Sequence, residues 1–131
     1  MLAAPYSEAE HVMLDAEFHQ PPEIVFGAEP AHDWCFFYEK ASLARQRGEW
    51  EEVLKIGEEA FRQGFGPKDP IEWMPFLQAY ALDGNIARLT ELAPKLAGNP
   101  YVSLQSCHLL GSLPGISAEV IETIDTLYCP Q

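Results

Sequence analysis

His32 and Cys35 stand three residues apart with Asp33 between them, and all three are side-chain types that carry chemistry. Zinc accepts imidazole and thiolate ligands, but it needs three or four of them, and two do not make a site. Closing one would require folding to bring in His108 and Cys107, and no second pair in the chain has ligand spacing. The plainer reading makes Asp33 a helix N-cap, Cys35 a small buried apolar residue and His32 a turn residue, so no metal and no cofactor are expected. A thiol nucleophile at Cys35 meets the same objection. The first turn of a helix favours a thiolate, yet Trp34, Phe36 and Phe37 surround it with apolar groups, which favours neutral burial. Glu51-Glu52 and Glu58-Glu59 fall on the wet face of a helix rather than across a cleft, as a glycosidase pair would. Gly64-Phe65-Gly66-Pro67 follows a helix and lacks the Lys-Ser or Lys-Thr of a phosphate loop. No catalytic residue is assigned, and the chain is expected not to be an enzyme. A small metal-binding or thiol-dependent enzyme centred on His32, Cys35 and His108 is the competing reading.

The composition of the chain limits which partners it can have. The 131 residues are 47% hydrophobic and 21% charged, the balance of one soluble globular domain. Twenty acids against eight bases give a formal charge of -12, which repels phosphate backbones, so nucleic acid is excluded as a partner. No apolar run approaches the ~18 residues of a membrane span, and Met1-Leu2-Ala3-Ala4-Pro5 lacks the form of a signal peptide. Direct membrane insertion is therefore not expected. Three cysteines, Cys35, Cys107 and Cys129, are an odd number without close pairing, which predicts three free thiols and a reducing, cytoplasmic setting.

Helical spacing dominates the elements that must position these residues. Residues 1-31 form an N-terminal arm: a short helix from Ser7 to Phe18, then Pro21-Pro22 and an extended apolar segment, Glu23 to Gly27. Ile24, Val25 and Phe26 have no partner strand and are expected to be buried against the first two helices of residues 32-131. From Asp33 the apolar residues Trp34, Phe37, Tyr38, Ala41 and Ala44 recur at three and four, up to Gly48. Trp50, Val53, Leu54, Gly57, Ala60 and Phe61 form the apolar face of the next helix. Asp69-Pro70-Ile71-Glu72 has the form of a capping box before Trp73, Phe76, Leu77, Tyr80 and Ala81, with Pro75 delaying the regular helix to near Trp73. Ile86 to Leu96 make a fourth helix bent or frayed by Pro94, Asn99-Pro100 cap a fifth, and Ser117 caps a sixth. An all-α fold follows, in which short turns force neighbouring helices into antiparallel hairpins at about 33-64, 69-97 and 99-128.

Gly48-Glu49-Trp50 and Gly84-Asn85-Ile86 are like turns, and 84 minus 48 is 36, close to the ~34-residue tetratricopeptide period. Trp73, Phe76-Leu77 and Tyr80 follow the spacing of that pattern, and Phe37, Lys40-Ala41 and Ala44 follow it more loosely, with Ala60 in the small slot. Residues 33-98 thus resemble tetratricopeptide repeats, with Leu77, Leu89 and Leu96 where those repeats prefer small side chains. In addition, Pro22 to Gly27, His32 to Phe37, Tyr38 to Ala41 and Leu43 to Trp50 resemble the soluble C-terminal region of some bacterial multi-span membrane proteins of the lipid-linked glycosyltransferase type. That resemblance implies a soluble domain of a membrane-associated system without a glycosyltransferase site, and a membrane protein as one class of partner.

Together these features predict a short right-handed array of stacked helix hairpins with an extended N-terminal segment, working as a protein- or peptide-binding module. Its concave groove is expected to present Tyr38, Ser42 and Arg45, then Met74, Gln78 and Leu82, and then Gln105 and His108. Packing is the default for the tryptophans and tyrosines, which fall on core stripes. A purely structural tail, packed against its own membrane or oligomeric partner, is the third reading.

Overall fold

The computed structural model describes residue 17 and residues 19-129, which divide into one unit up to Ala31 and another from His32. Most of the helix expected from Ser7 to Phe18 lies outside the described residues. The described residues are helical, with no strand. Helices α1 to α7 span Glu23–Phe26, Trp34–Gln46, Trp50–Arg62, Met74–Asp83, Ile86–Leu96, Pro100–Gly111 and Ala118–Leu127, and a 3-10 turn, Pro70–Trp73, leads into α4.

In the first unit the segment expected to be extended is instead the single turn α1. The Pro22 carbonyl accepts from the amides of Val25 and Phe26, so a proline-opened turn satisfies locally the backbone groups that would otherwise need a partner strand. Ile24, Val25 and Phe26 are 96%, 70% and 72% exposed.

In the second unit, Asp33 caps α2 by accepting from the Cys35 amide, and Trp34, Phe37, Ala41 and Ala44 are buried as their spacing requires. Three helix ends share one device. After α2, α3 and α4, glycines at φ 73°, 83° and 72° allow the chain to reverse. Glu49, Phe65 and Asn85 donate their amides to Ala44, Ala60 and Tyr80, while Gly48, Gly64 and Gly84 donate to Arg45, Phe61 and Ala81. Asp69 and Glu72 complete the expected capping box, and the regular helix opens at Met74 with Pro75 in its first turn, where a missing amide costs nothing. Pro94 lies inside α5, which nevertheless runs on to Leu96, because only the bond to Thr90 is lost so near the end.

Helix α4 contacts α2, α3, α5 and α6, while α7 lies against α5 and α6. Phe76, Leu77, Leu89, Leu92, Leu96, Leu110 and Ile124 are the large side chains fully withdrawn from water around it. An aromatic group seals α2, α3 and α4 together: Trp34, Phe61, Trp73 and Phe76 pack with ring centroids 5.4 to 6.4 Å apart. Cys107 and Cys129 form a disulfide joining α6 to the residues after α7, and this corrects the expectation of three free thiols. An odd count leaves one cysteine over without preventing the other two from pairing, and the α6–α7 packing brings these two together with Cα atoms 4.8 Å apart.

Candidate functional site

The side chains singled out for metal or thiol chemistry take up separate local roles. Cys35 is exposed rather than buried, because Trp34 turns inward and the next residue on a helix points about 100° away, at 3.6 residues per turn. His32 stacks on Phe36, with centroids 3.5 Å apart and rings 5° from parallel. Cys107 is oxidised and so is no thiolate ligand beside His108. Among the described residues no three His, Cys, Asp or Glu side chains converge to hold a metal.

Of the eight side chains expected along the groove, Arg45 and Gln78 come together: the guanidinium Nη1 donates to Gln78 Oε1 at 3.3 Å, across the α2–α4 contact. Met74 and Gln78 are buried, Tyr38, Ser42 and Leu82 are half-buried, and Gln105 and His108 are exposed on α6. No hydrogen bond among the described residues joins Gln105 or His108 to the Arg45–Gln78 pair. Tyr38 instead borders a recess of about 360 Å³ with Trp34, Cys35, Phe65 and Glu72, a lining without histidine. In that recess Glu72 Oε2 is already engaged: it accepts from Trp34 Nε1 at 2.8 Å and from the amides of Lys68 and Asp69 at 3.0 and 3.3 Å.

The larger concavity, about 960 Å³, lies where the Gly48 turn joins α2 to α3 and meets the end of α4. Its apolar floor is Leu43, Trp50, Leu54 and Leu82, and Lys40, Arg47, Glu49, Glu51, Glu52 and Asp83 ring it. The turn creates the cleft. Ending α2 at Gln46 and restarting at Trp50 leaves Leu43 beyond the buried stripe, 47% exposed, and sets Trp50 beside it at the head of α3. Trp50, expected in the core, is therefore only half-buried, since the first residue of a helix projects past the body of the neighbour it packs on. Of the eight expected groove residues only Leu82 belongs to this cleft. Leu43 carried a signal in the sequence: it is a large apolar residue off the Trp34, Phe37, Ala41, Ala44 stripe, where a solvated face has no use for one.

Charge around the cleft is mostly negative. Lys55 pairs with Glu52 at 3.2 Å, and the Lys40 ammonium sits 5.3 Å from the Phe36 ring centroid. Among the described residues neither an ion pair nor a hydrogen bond engages the side chains of Glu49, Glu51 or Asp83. The lining contains no cysteine, histidine, serine or tyrosine, so it holds no hydroxyl or thiol nucleophile and no imidazole base. No helix of the described residues is long and apolar enough to cross a membrane. Compared with family models, curated proteins and solved structures, the chain matches none.

Proposed function

We propose that this chain is a non-catalytic, tetratricopeptide-like helical-repeat module that binds a protein or peptide segment, with the apolar side chains of that segment seated at the Gly48 turn. The cleft floored by Leu43, Trp50, Leu54 and Leu82 carries this reading. Four large apolar side chains facing one open concavity form the kind of surface into which an anchor residue of a partner fits, and its volume falls in the ~300–1,000 Å³ range of binding clefts. The repeat reading is supported by Gly48 and Gly84, 36 residues apart, each turning the chain directly from one helix into the next. A membrane-protein segment is one class of partner this reading admits.

Panning a displayed random-peptide library on the full chain tests it. Selected peptides are expected to bind the wild type and to lose about tenfold or more in affinity on Leu43→Asp, a change at a half-exposed position that should leave the helical circular dichroism intact. Enrichment that ignores Leu43→Asp would overturn the site.

A further inference from the structure

The cleft at the Gly48 turn has a floor and a rim of different character, and the rim says which segments it would accept. Burying apolar side chains on the floor supplies affinity for any hydrophobic segment and discriminates little between them. The rim adds a sign. Four carboxylates, Glu49, Glu51, Glu52 and Asp83, border the cleft against two cations, Lys40 and Arg47. Glu52 is held by Lys55 and Lys40 is turned over the Phe36 ring, which leaves three carboxylates, Glu49, Glu51 and Asp83, against the Arg47 guanidinium. Glu49, Glu51 and Asp83 are exposed carboxylates that come from the turn, from the first turn of α3 and from the last residue of α4, so they approach the floor from different elements.

We infer that the occupant is a partner segment carrying large apolar side chains flanked by lysine or arginine, whose cations face Glu49, Glu51 and Asp83. This rests on the proposed segment-binding function and narrows it to one class of ligand. An acidic flank would be repelled at the same three places, so discrimination arises as much from exclusion as from attraction. Because the carboxylates are solvated, their effect should be screened by salt, whose Debye length is about 8 Å at physiological strength.

Three helical peptides of equal length separate the outcomes: one of leucine and lysine, one of leucine and glutamine, one of leucine and glutamate. Each, dye-labelled, is titrated with the full chain by fluorescence anisotropy. The lysine peptide is expected to bind about tenfold tighter than the glutamine peptide, and the glutamate peptide weakest, with the spread shrinking at 0.5 M salt. Since a chain of charge -12 attracts any cation, the decisive comparison is between two triple variants of equal charge. Glu49→Gln with Glu51→Gln and Asp83→Asn should abolish most of the preference. Glu119→Gln with Glu122→Gln and Asp125→Asn, on α7, should preserve it. Equal losses in both triples would overturn the rim as the determinant. Equal affinity for all three peptides, lost on Leu43→Asp, would overturn the charge preference and leave the cleft standing. Binding that Leu43→Asp does not weaken would overturn both.

Discussion

Tyr128 and Glu72 show how single side chains hold distant segments of this chain together. The Tyr128 hydroxyl donates to the Leu89 carbonyl at 2.5 Å, tying the end of α7 to α5, and its phenol is buried. Desolvation pushes its pKa well above the ordinary value near 10, and desolvation likewise raises that of Tyr80, partly offset by Arg88 beside it. A phenol whose folded pKa is raised holds its proton longer when folded. The stability this represents is whole below pH ~10 and is lost as pH climbs past it, where the unfolded chain ionises first. Alkaline melts should therefore show the midpoint falling above about pH 10. Tyr128→Phe should cost about 1–2 kcal/mol at neutral pH and flatten that fall, with Tyr80 left to supply the rest. Glu72 joins Trp34 to the capping box, so Glu72→Ala strips three donors of their acceptor at once. A loss of about 2 kcal/mol by denaturant titration is expected, and a change below 0.5 would mean that water replaces those bonds. Asp33, Asp69 and Glu72 were readable as caps because capping depends on residues two or three positions away. Cys35 was not, since its exposure depends on how far round α2 its neighbours cover.

At the scale of the elements, α3 and α4 are set close by Gly57. A Cβ built there would lie 2.8 Å from two carbons of the Phe76 ring, and that ring is fully buried with Trp34, Phe61 and Trp73 around it. Gly57→Ala gains helix propensity of ~1 kcal/mol, but overpacking of ~1–3 kcal/mol opposes it, and the immobile ring should make the second effect larger. The thermal midpoint is expected to fall. A rise would show that Phe76 can move aside, and Gly57→Ala with Phe76→Leu should recover part of the loss if the contact is the cause. Of the face expected for α3, Val53, Gly57 and Ala60 are buried, joined by Ile56, which that face did not include, while Leu54 and Phe61 are half-buried; α5 buries Leu89, Leu92, Ala93 and Leu96. Trp50 is half-buried because it stands at the end of its helix, and Leu54, one turn on, borders the same cleft. The segment Glu23–Phe26 differs from its expected extended form because four residues are too few for periodicity to distinguish a turn from a strand.

For the whole molecule, the disulfide closes a sequence separation of 22 residues over the α6–α7 pair. Constraining a loop of that length in the unfolded chain is worth about 3 kcal/mol, so reduction should lower the melting midpoint by roughly 10 °C. Alkylation should label one thiol, Cys35, before reduction and three after it. Equal midpoints with and without reductant would show that the crosslink adds nothing to stability. Helices α2 to α7, the caps at Asp33, Asp69, Asn99 and Ser117 and the glycine turns were legible in the sequence, because all of these depend on residues within one or two turns of each other. Part of the inward face of α3, Val53, Gly57 and Ala60, was legible too. The sequence did not determine the same for α4 and α6, where apolar residues occur all round. From Met74 to Ala81 every residue of α4 is buried, whereas α6 leaves Tyr101 84% and Leu104 60% exposed. Two helices of like composition differ because α4 packs closely on several sides, against α2, α3, α5 and α6, whereas the close packing of α6 among the described residues is against α4 and α7. Burial of an evenly apolar helix is set by how many neighbours reach it. The cleft at the Gly48 turn is likewise a product of tertiary structure, since Leu43, Trp50 and Leu82 face one space only after three helices have packed.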